Sequence, residues 1–121
     1  MRQFDHEKLN VYQTAITFVA WSSDRLTDIP KSMSVHNQFD RASTSIPLNI
    51  AEGNGKYTSA DRCRFFDTAR GSALECAACL DVLVARAVIE ESVAVEGKGM
   101  LLDIVSMLVG LIRSNSPSRD V

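Results

Sequence analysis

The sequence has few cysteines, almost no excess of charge and no long apolar run. Its three cysteines are an odd number, far below the density of a secreted disulfide scaffold. Thirteen basic and fifteen acidic residues give a net charge of -2, which argues against a nucleic-acid coat driven by bulk positive charge. No apolar segment approaches the roughly 20 residues that span a bilayer, and the polar N-terminus has no apolar signal core. We therefore expect a cytoplasmic protein with no membrane partner.

Two of the cysteines, Cys76 and Cys79, have the spacing of a redox or zinc motif. They lie within the helical pattern ALECAACLDVLVARAV, with no strand before them and no second pair to complete four ligands. The two histidines, His6 and His36, lack the Glu-x-x-His pattern of di-iron bundles. We therefore predict that the cysteines are buried packing residues and that the protein uses no metal and no cofactor.

Strand signals are nearly absent, whereas apolar residues recur at steps of three and four along most of the chain. The pattern predicts one domain, 1–121, with helices at about 6–28, 34–53, 59–88 and 92–114 and a flexible tail at 115–121. Because the connections are short, neighbouring helices are expected to be antiparallel. The fold class is therefore all-α, an antiparallel up-down-up-down four-helix bundle.

The third predicted helix has two apolar faces. Its core face is predicted to comprise Phe66, Ala69, Ala73, Cys76, Leu80, Val84 and Ala87. The second face, called the outer strip below, comprises Leu74, Ala78, Val82 and Ala85. Because a helix that is apolar on two faces is usually buried on both, we predict that the outer strip is the interface of a homo-oligomer.

Polar residues border the apolar faces of the second and third helices. Antiparallel packing through the short connection at 53–57 would bring together Arg41, Ser45, Asn49, Glu52, Ser72 and Glu75. We predict an interhelical network that fixes the register of the two helices. The alternative is a small-molecule enzyme site, since paired glutamates and an arginine can perform acid–base chemistry. No histidine and no cofactor motif accompanies these residues.

The segment SIPLNIAEGNGKYTSAD contains a Gly-Asn-Gly-Lys run that invites comparison with a phosphate-binding loop. A P-loop requires glycine at the position of Ile50, Ser or Thr at that of Tyr57, and a preceding strand. The basic residues Lys56, Arg62 and Arg64 cluster here, with aromatic residues nearby, and one interpretation is an anion or nucleic-acid contact at the start of the third helix. The other is a solvated loop end whose cations are balanced by neighbouring carboxylates.

Pro47 lies inside the second predicted helix. Proline removes one backbone hydrogen bond, which frees the carbonyl of Ser43. We expect the Ser43 or Thr44 hydroxyl, or water, to satisfy that carbonyl.

The strings LNVYQTA and QFDRASTSIPLNIAEGNGKYTSADRCRFFDTARGSALE carry a family resemblance. They resemble the four-helix bundle proteins encoded in intervening sequences of bacterial 23S ribosomal RNA genes. The family's motif residues fall here at Arg41, Ser45, Ile46, Pro47, Asn49, Glu52, Gly53, Ala69, Gly71, Ser72 and Glu75. The joint commonly carries arginine where this chain has Lys56, which keeps the charge.

The resemblance implies a bundle that assembles into a homopentameric ring and implies no biochemical activity. A related branch comprises the accessory variability proteins of diversity-generating retroelements. These are similar pentamers that bind a reverse transcriptase and nucleic acid through basic surfaces. We therefore expect a non-enzymatic, cytoplasmic, oligomeric binding or adaptor protein that contacts RNA or a nucleic-acid-processing protein. The alternatives are the small-molecule enzyme and a purely structural module for protein–protein assembly.

Overall fold

The computed structural model describes residues 2–116, in which all regular structure is helical. A 3-10 helix at Asp5–Lys8 precedes four α-helices: α1 Asn10–Leu26, α2 Ser34–Asn54, α3 Ser59–Ala85 and α4 Glu91–Asn115. The all-α prediction is therefore confirmed. The first predicted helix is divided in two by Leu9, whose backbone is extended. Of the tail predicted at 115–121, Asn115 ends α4, and residues 117–121 lie outside the described residues.

Consecutive helices are antiparallel, because contacts join opposite helix ends. An ion pair between Asp81 and Lys98 links the end of α3 to the start of α4. Asn54, at the end of α2, donates a hydrogen bond of 3.1 Å to Asp5, just before α1. The backbone of each helix approaches those of the two helices beside it, whereas within residues 2–116 the backbones of the diagonal pairs α1–α3 and α2–α4 stay apart. The result is a four-helix bundle.

The core lies along the bundle axis and is built from large apolar side chains of all four helices. The aromatic rings of Phe18 and Phe39 meet edge to face, with centroids 6.2 Å apart. Full burial of one such side chain stabilises the fold by about 1.5–3 kcal/mol relative to exposure. The largest fully buried apolar side chains are Phe18, Phe39, Phe66, Ile46, Ile50, Leu80, Leu83, Ile104, Leu108 and Ile112.

The end of α3 differs from the predicted boundary at residue 88. Ala87 adopts a positive φ of 58°, the only non-glycine residue among 2–116 to do so. The N–H groups of Ala87 and Val88 donate to the carbonyls of Val84 and Leu83, both at 2.9 Å. This pattern is a Schellman motif, in which glycine usually occupies the left-handed position. Ala87 was predicted to lie on the core face; instead it is exposed, beyond the last residue of α3.

Pro47 is buried within α2, as its position in the sequence predicted. The hydroxyls of Ser43 and Thr44 both donate to the carbonyl of Asp40, at 3.0 and 2.9 Å. Neither hydroxyl therefore reaches the Ser43 carbonyl that the proline leaves without its helical donor. The expectation of a hydroxyl partner was wrong, because each side chain bonds one turn back along its own helix.

Helices α1 and α4 approach each other closely at Gly97. A Cβ atom at this position would lie 2.5 Å from Cη2 of Trp21 and 2.9 Å from Cδ1 of Leu80. The Trp21 ring also stacks on Phe18, with centroids 5.7 Å apart, and the guanidinium of Arg25 lies 5.2 Å from its centroid. Glycine is required here because its missing side chain leaves the space that the indole occupies.

Candidate functional site

Three neutral members of the predicted polar network are joined across the α2–α3 interface. The Ser72 hydroxyl of α3 donates to the Ser45 hydroxyl of α2 at 2.9 Å. The Asn49 amide donates to the same Ser45 oxygen and to the Ser45 carbonyl, each at 2.9 Å. All three side chains are half-buried. A hydrogen bond of this kind contributes about 0.5–1.5 kcal/mol, and the interhelical one ties a particular residue of α2 to a particular residue of α3.

The charged members of the predicted network take no part in these hydrogen bonds. Arg41, Glu52 and Glu75 are exposed. None of them forms a hydrogen bond or ion pair with another residue in the range 2–116. The structure therefore brings the serines and the asparagine together and leaves the three charges facing solvent.

Arg41 and Glu75 nevertheless share a surface, a groove of about 230 Å³ between α2 and α3. Gln38, Ser45 and Ser72 also line it, so the interhelical hydrogen bond forms part of its wall. Glu52 does not line this groove. The groove presents one cation, one carboxylate and several neutral hydrogen-bonding groups to solvent.

A larger groove of about 500 Å³ continues from the first toward the start of α2. The two grooves share Gln38 and Glu75, and the larger one adds Cys79, Val82 and Arg86. Burial, reinforced by the negative charge of Glu75, raises the pKa of the Cys79 thiol. The thiol is therefore protonated at neutral pH and is a weak nucleophile.

The remaining cysteines are also core residues. Cys63, Cys76 and Cys79 are buried and free of disulfides. Burial is the main cause that raises the pKa of the Cys76 thiol, and the charges of Cys79 and Glu75 act in the same direction. Within residues 2–116, no group of three or more His, Cys, Asp or Glu side chains is arranged to hold a metal ion.

The predicted basic cluster at the α2–α3 joint divides into two parts, of which Arg62 is the inward one. Its Nε donates to Oδ1 of Asn115 at 3.0 Å, and its Nη1 donates to the carbonyl of Asn54 at 3.1 Å and to that of Lys56 at 3.5 Å. Arg62 thus links the end of α2 to the end of α4. Its role is to hold the joint, and two of its three guanidinium nitrogens, Nε and Nη1, already donate within the fold.

Lys56 and Arg64 form the outward part of the cluster. Both lie over the ring of Phe65, with Lys56 Nζ 5.0 Å and Arg64 Cζ 5.3 Å from its centroid. Arg64 also forms an ion pair of 3.3 Å with Asp61. The adjacent Tyr57 is fully exposed. This outward group, Lys56, Tyr57, Arg64 and Phe65, is called the joint corner below.

The outer strip of α3 is exposed along its length. Leu74 has 54% and Val82 has 39% of its surface accessible, and Ala78 and Ala85 are also exposed. Val82 borders the larger α2–α3 groove, whereas Leu74 borders an apolar groove of about 290 Å³ between α3 and α4. Leu102 of α4, which is 71% exposed, lines that second groove.

Leu102 extends the exposed apolar surface onto α4, and the sequence-based prediction did not include it. Val95, on the same helix, is exposed as well. The two residues are seven positions apart and therefore lie on the same side of α4. That spacing was a usable signal, but the stronger apolar pattern of the core face obscured it.

The family model for the 23S rRNA-intervening sequence protein matches residues 7–110. The chain belongs to this family. The match confirms the resemblance carried by the motif strings around the α2–α3 joint, and it covers the polar network, the joint corner and the outer strip together.

A solved structure of the S23 ribosomal protein family, from Bacteroides thetaiotaomicron, is similar in fold. It superimposes with a TM-score of 0.78 at 22% sequence identity, covering 85% of this chain and 98% of that chain. That protein is described as one of unknown function. A search of curated proteins finds no match to this chain. In residues 2–116, none of the helices combines the length and apolar character needed to cross a membrane.

Proposed function

We propose that the protein is a cytoplasmic, ring-forming homo-oligomer, pentameric by family resemblance, that acts as an adaptor for RNA and has no catalytic activity of its own. The observation that carries the proposed assembly is the exposed apolar surface formed by the outer strip and its extension on α4. The retroelement accessory proteins, a branch related to the family that this chain resembles, are pentamers that bind nucleic acid, and this relation supports the same proposal.

The exposed apolar surface favours assembly on energetic grounds. Each square ångström of apolar surface removed from water contributes about 25 cal/mol. Leu74 and Leu102 are both more than half exposed and line one groove, so a neighbouring subunit that filled the groove would bury both. Stable interfaces bury roughly 800 Å² on each partner. The outer strip runs from Leu74 to Ala85, along three turns of α3, and provides a contact surface long enough to form the centre of such an interface.

Assembly is tested by light scattering coupled to size-exclusion chromatography. We expect a mass of several times the 13.3 kDa of one chain, and five times for the proposed ring. Leu74→Glu should shift the mass to that of a monomer while the far-ultraviolet circular dichroism stays helical, because a charge replaces an apolar contact between subunits. Ile16→Glu is the matched control, since Ile16 is 45% exposed on α1 and lies outside the proposed interface.

Two results would contradict the proposed assembly. A wild-type monomer at micromolar concentration would exclude it outright. Loss of helical signal together with the loss of mass in Leu74→Glu would show that the strip is needed for the bundle itself.

The RNA contact is supported by the joint corner, where Lys56 and Arg64 lie beside the N-terminus of α3. Backbone N–H groups of a first helical turn and nearby cations both favour phosphate. Binding to structured ribosomal RNA fragments should weaken as salt rises, since each neutralised phosphate releases counterions. Affinity no greater than that of an unrelated acidic protein, at every salt concentration, would remove this part of the function.

A second candidate function is a small-molecule site in the α2–α3 groove. One observation favours it: Arg41 and Glu75 line the groove without pairing to each other. A charged metabolite that raises the melting temperature of the wild type but not of Arg41→Gln would support this candidate. A ring that binds neither RNA nor metabolite would instead support a purely structural assembly module.

A further inference from the structure

Tyr57 is the most unusual side chain of the joint corner, because nothing in residues 2–116 covers it. Its relative exposure is 101%, as large as that of an isolated tyrosine. The residue lies in the short connection between α2 and α3, and its backbone is therefore anchored by a helix on each side. The aromatic ring is presented to solvent from a fixed point of the bundle.

The cations beside Tyr57 are held in place by Phe65. Lys56 Nζ lies 5.0 Å and Arg64 Cζ lies 5.3 Å from the centroid of its ring. A cation–π contact at an exposed site contributes about 0.5–1 kcal/mol, which is enough to bias a flexible side chain toward one arrangement. The corner therefore combines a free aromatic face with two cations whose positions are restricted.

The charge of the corner is too small for binding by phosphate attraction alone. Arg64 is partly neutralised by Asp61 at 3.3 Å, and the whole chain carries a net charge of -2. Recognition of a duplex relies on contacts spread over its backbone and grooves. In contrast, an unpaired base can stack on a single aromatic side chain, and such stacking is sequence-tolerant. A ligand that uses both Tyr57 and the cations must offer an unpaired base next to phosphates.

We propose that the joint corner binds single-stranded RNA, with a base stacked on Tyr57 and the flanking phosphates on Lys56 and Arg64. This inference rests on the RNA contact proposed above and adds to it the strand state and the stacking residue. In an assembled ring every subunit presents the same corner, so a single strand that reaches several corners gains avidity.

Fluorescence anisotropy with a labelled 12-nucleotide oligouridylate and a labelled 12-base-pair RNA duplex tests the inference. We expect the wild type to bind the single strand more tightly than the duplex. Tyr57→Ala should weaken binding to the single strand by about 5- to 150-fold, the range measured for loss of one stacked base. Tyr57→Phe should retain the affinity, because stacking requires the ring and not the hydroxyl.

The cation is tested separately by the salt dependence. Lys56→Gln should lower the slope of log K against log salt for the single strand by about 0.7. Lys31→Gln is the matched control: Lys31 is an exposed lysine in the connection between α1 and α2, at the opposite end of the bundle. It should leave both the affinity and the slope unchanged.

The outcomes separate this inference from the proposed function. If Tyr57→Ala binds the single strand like the wild type, or if the duplex binds as tightly as the single strand, the stacking site is wrong while the RNA contact stands. If neither RNA binds, both are wrong. Light scattering and thermal melting of Tyr57→Ala should match the wild type, so that a loss of affinity reports the missing ring.

Discussion

Replacing Ala87 with glycine should stabilise the protein. Ala87 holds a φ of 58° to close α3, and this left-handed conformation costs an L-residue with a Cβ about 1–2 kcal/mol. Glycine avoids that cost but makes the unfolded chain more flexible, which costs about 0.4–1 kcal/mol. The net gain in the free energy of unfolding is about 0.5–1 kcal/mol. For a chain of 121 residues this corresponds to a rise of about 2–4 °C in melting temperature.

The free energy of unfolding and the melting temperature are measured by urea and thermal denaturation at one fixed protein concentration, with circular dichroism as the signal. Ala20→Gly is the matched control, because Ala20 is also exposed but lies within α1, where helical φ is the rule. That substitution should destabilise by about 0.5–1 kcal/mol. An unchanged or lower midpoint for Ala87→Gly would refute the reasoning, since it would mean that the Schellman geometry stores no strain.

Two further predictions concern two glycines of α4 and the buried thiol of Cys76. Gly97→Ala should lower the free energy of unfolding by about 1 kcal/mol or more, since the new Cβ would overlap the Trp21 ring. Gly99→Ala should raise it by up to about 1 kcal/mol, because nothing lies within 4 Å of the new Cβ. Urea midpoints that move in the same direction in the two variants would contradict this. Burial raises the pKa of the Cys76 thiol above its unfolded value of about 8.5. The contribution of this thiol to the free energy of unfolding is therefore complete below about pH 8.5 and should be lost at about 1.4 kcal/mol per pH unit above it. Cys76→Ala should remove the part of this pH dependence that the Cys76 thiol causes. Equal slopes of the free energy of unfolding against pH in the wild type and the variant, between pH 8.5 and 10, would contradict the assignment.

The helices were predictable because their stabilising pattern is local: apolar residues at steps of three and four, with polar residues and glycines between the segments. The end of α3 was not predictable in the same way. The sequence there, VARAVIEES, contains neither glycine nor proline, so the helical pattern continued past the true end. The chain turns because Ala87 adopts a conformation that its residue type disfavours, and local residue propensities do not predict this turn.

The candidate site also combines features that follow from neighbouring segments with features that depend on distant residues. Antiparallel packing of adjacent helices was enough to predict that polar residues of α2 and α3 meet. It did not predict the Ser45–Ser72 pair, because Ser45 lies nine residues before the end of α2 and Ser72 thirteen residues after the start of α3. The position of Arg62 depended instead on Asn115, which is 53 residues away in the sequence and belongs to another helix. Charge alone suggested a solvent-facing cation. Only the packed bundle shows that the end of α4 supplies an acceptor for it.

The close contact between Trp21 and Gly97 gives the protein an intrinsic optical reporter. Trp21 is the chain's only tryptophan, and its indole N–H is buried without a hydrogen-bond partner in residues 2–116. Its emission therefore reports on the interface between α1 and α4, whereas circular dichroism sums over every helix. Helix formation within α2 and α3 adds to the dichroism, whereas the emission of Trp21 changes when the packing around its own ring forms. Comparing the two signals in time would reveal whether the bundle closes in the same step in which its helices form.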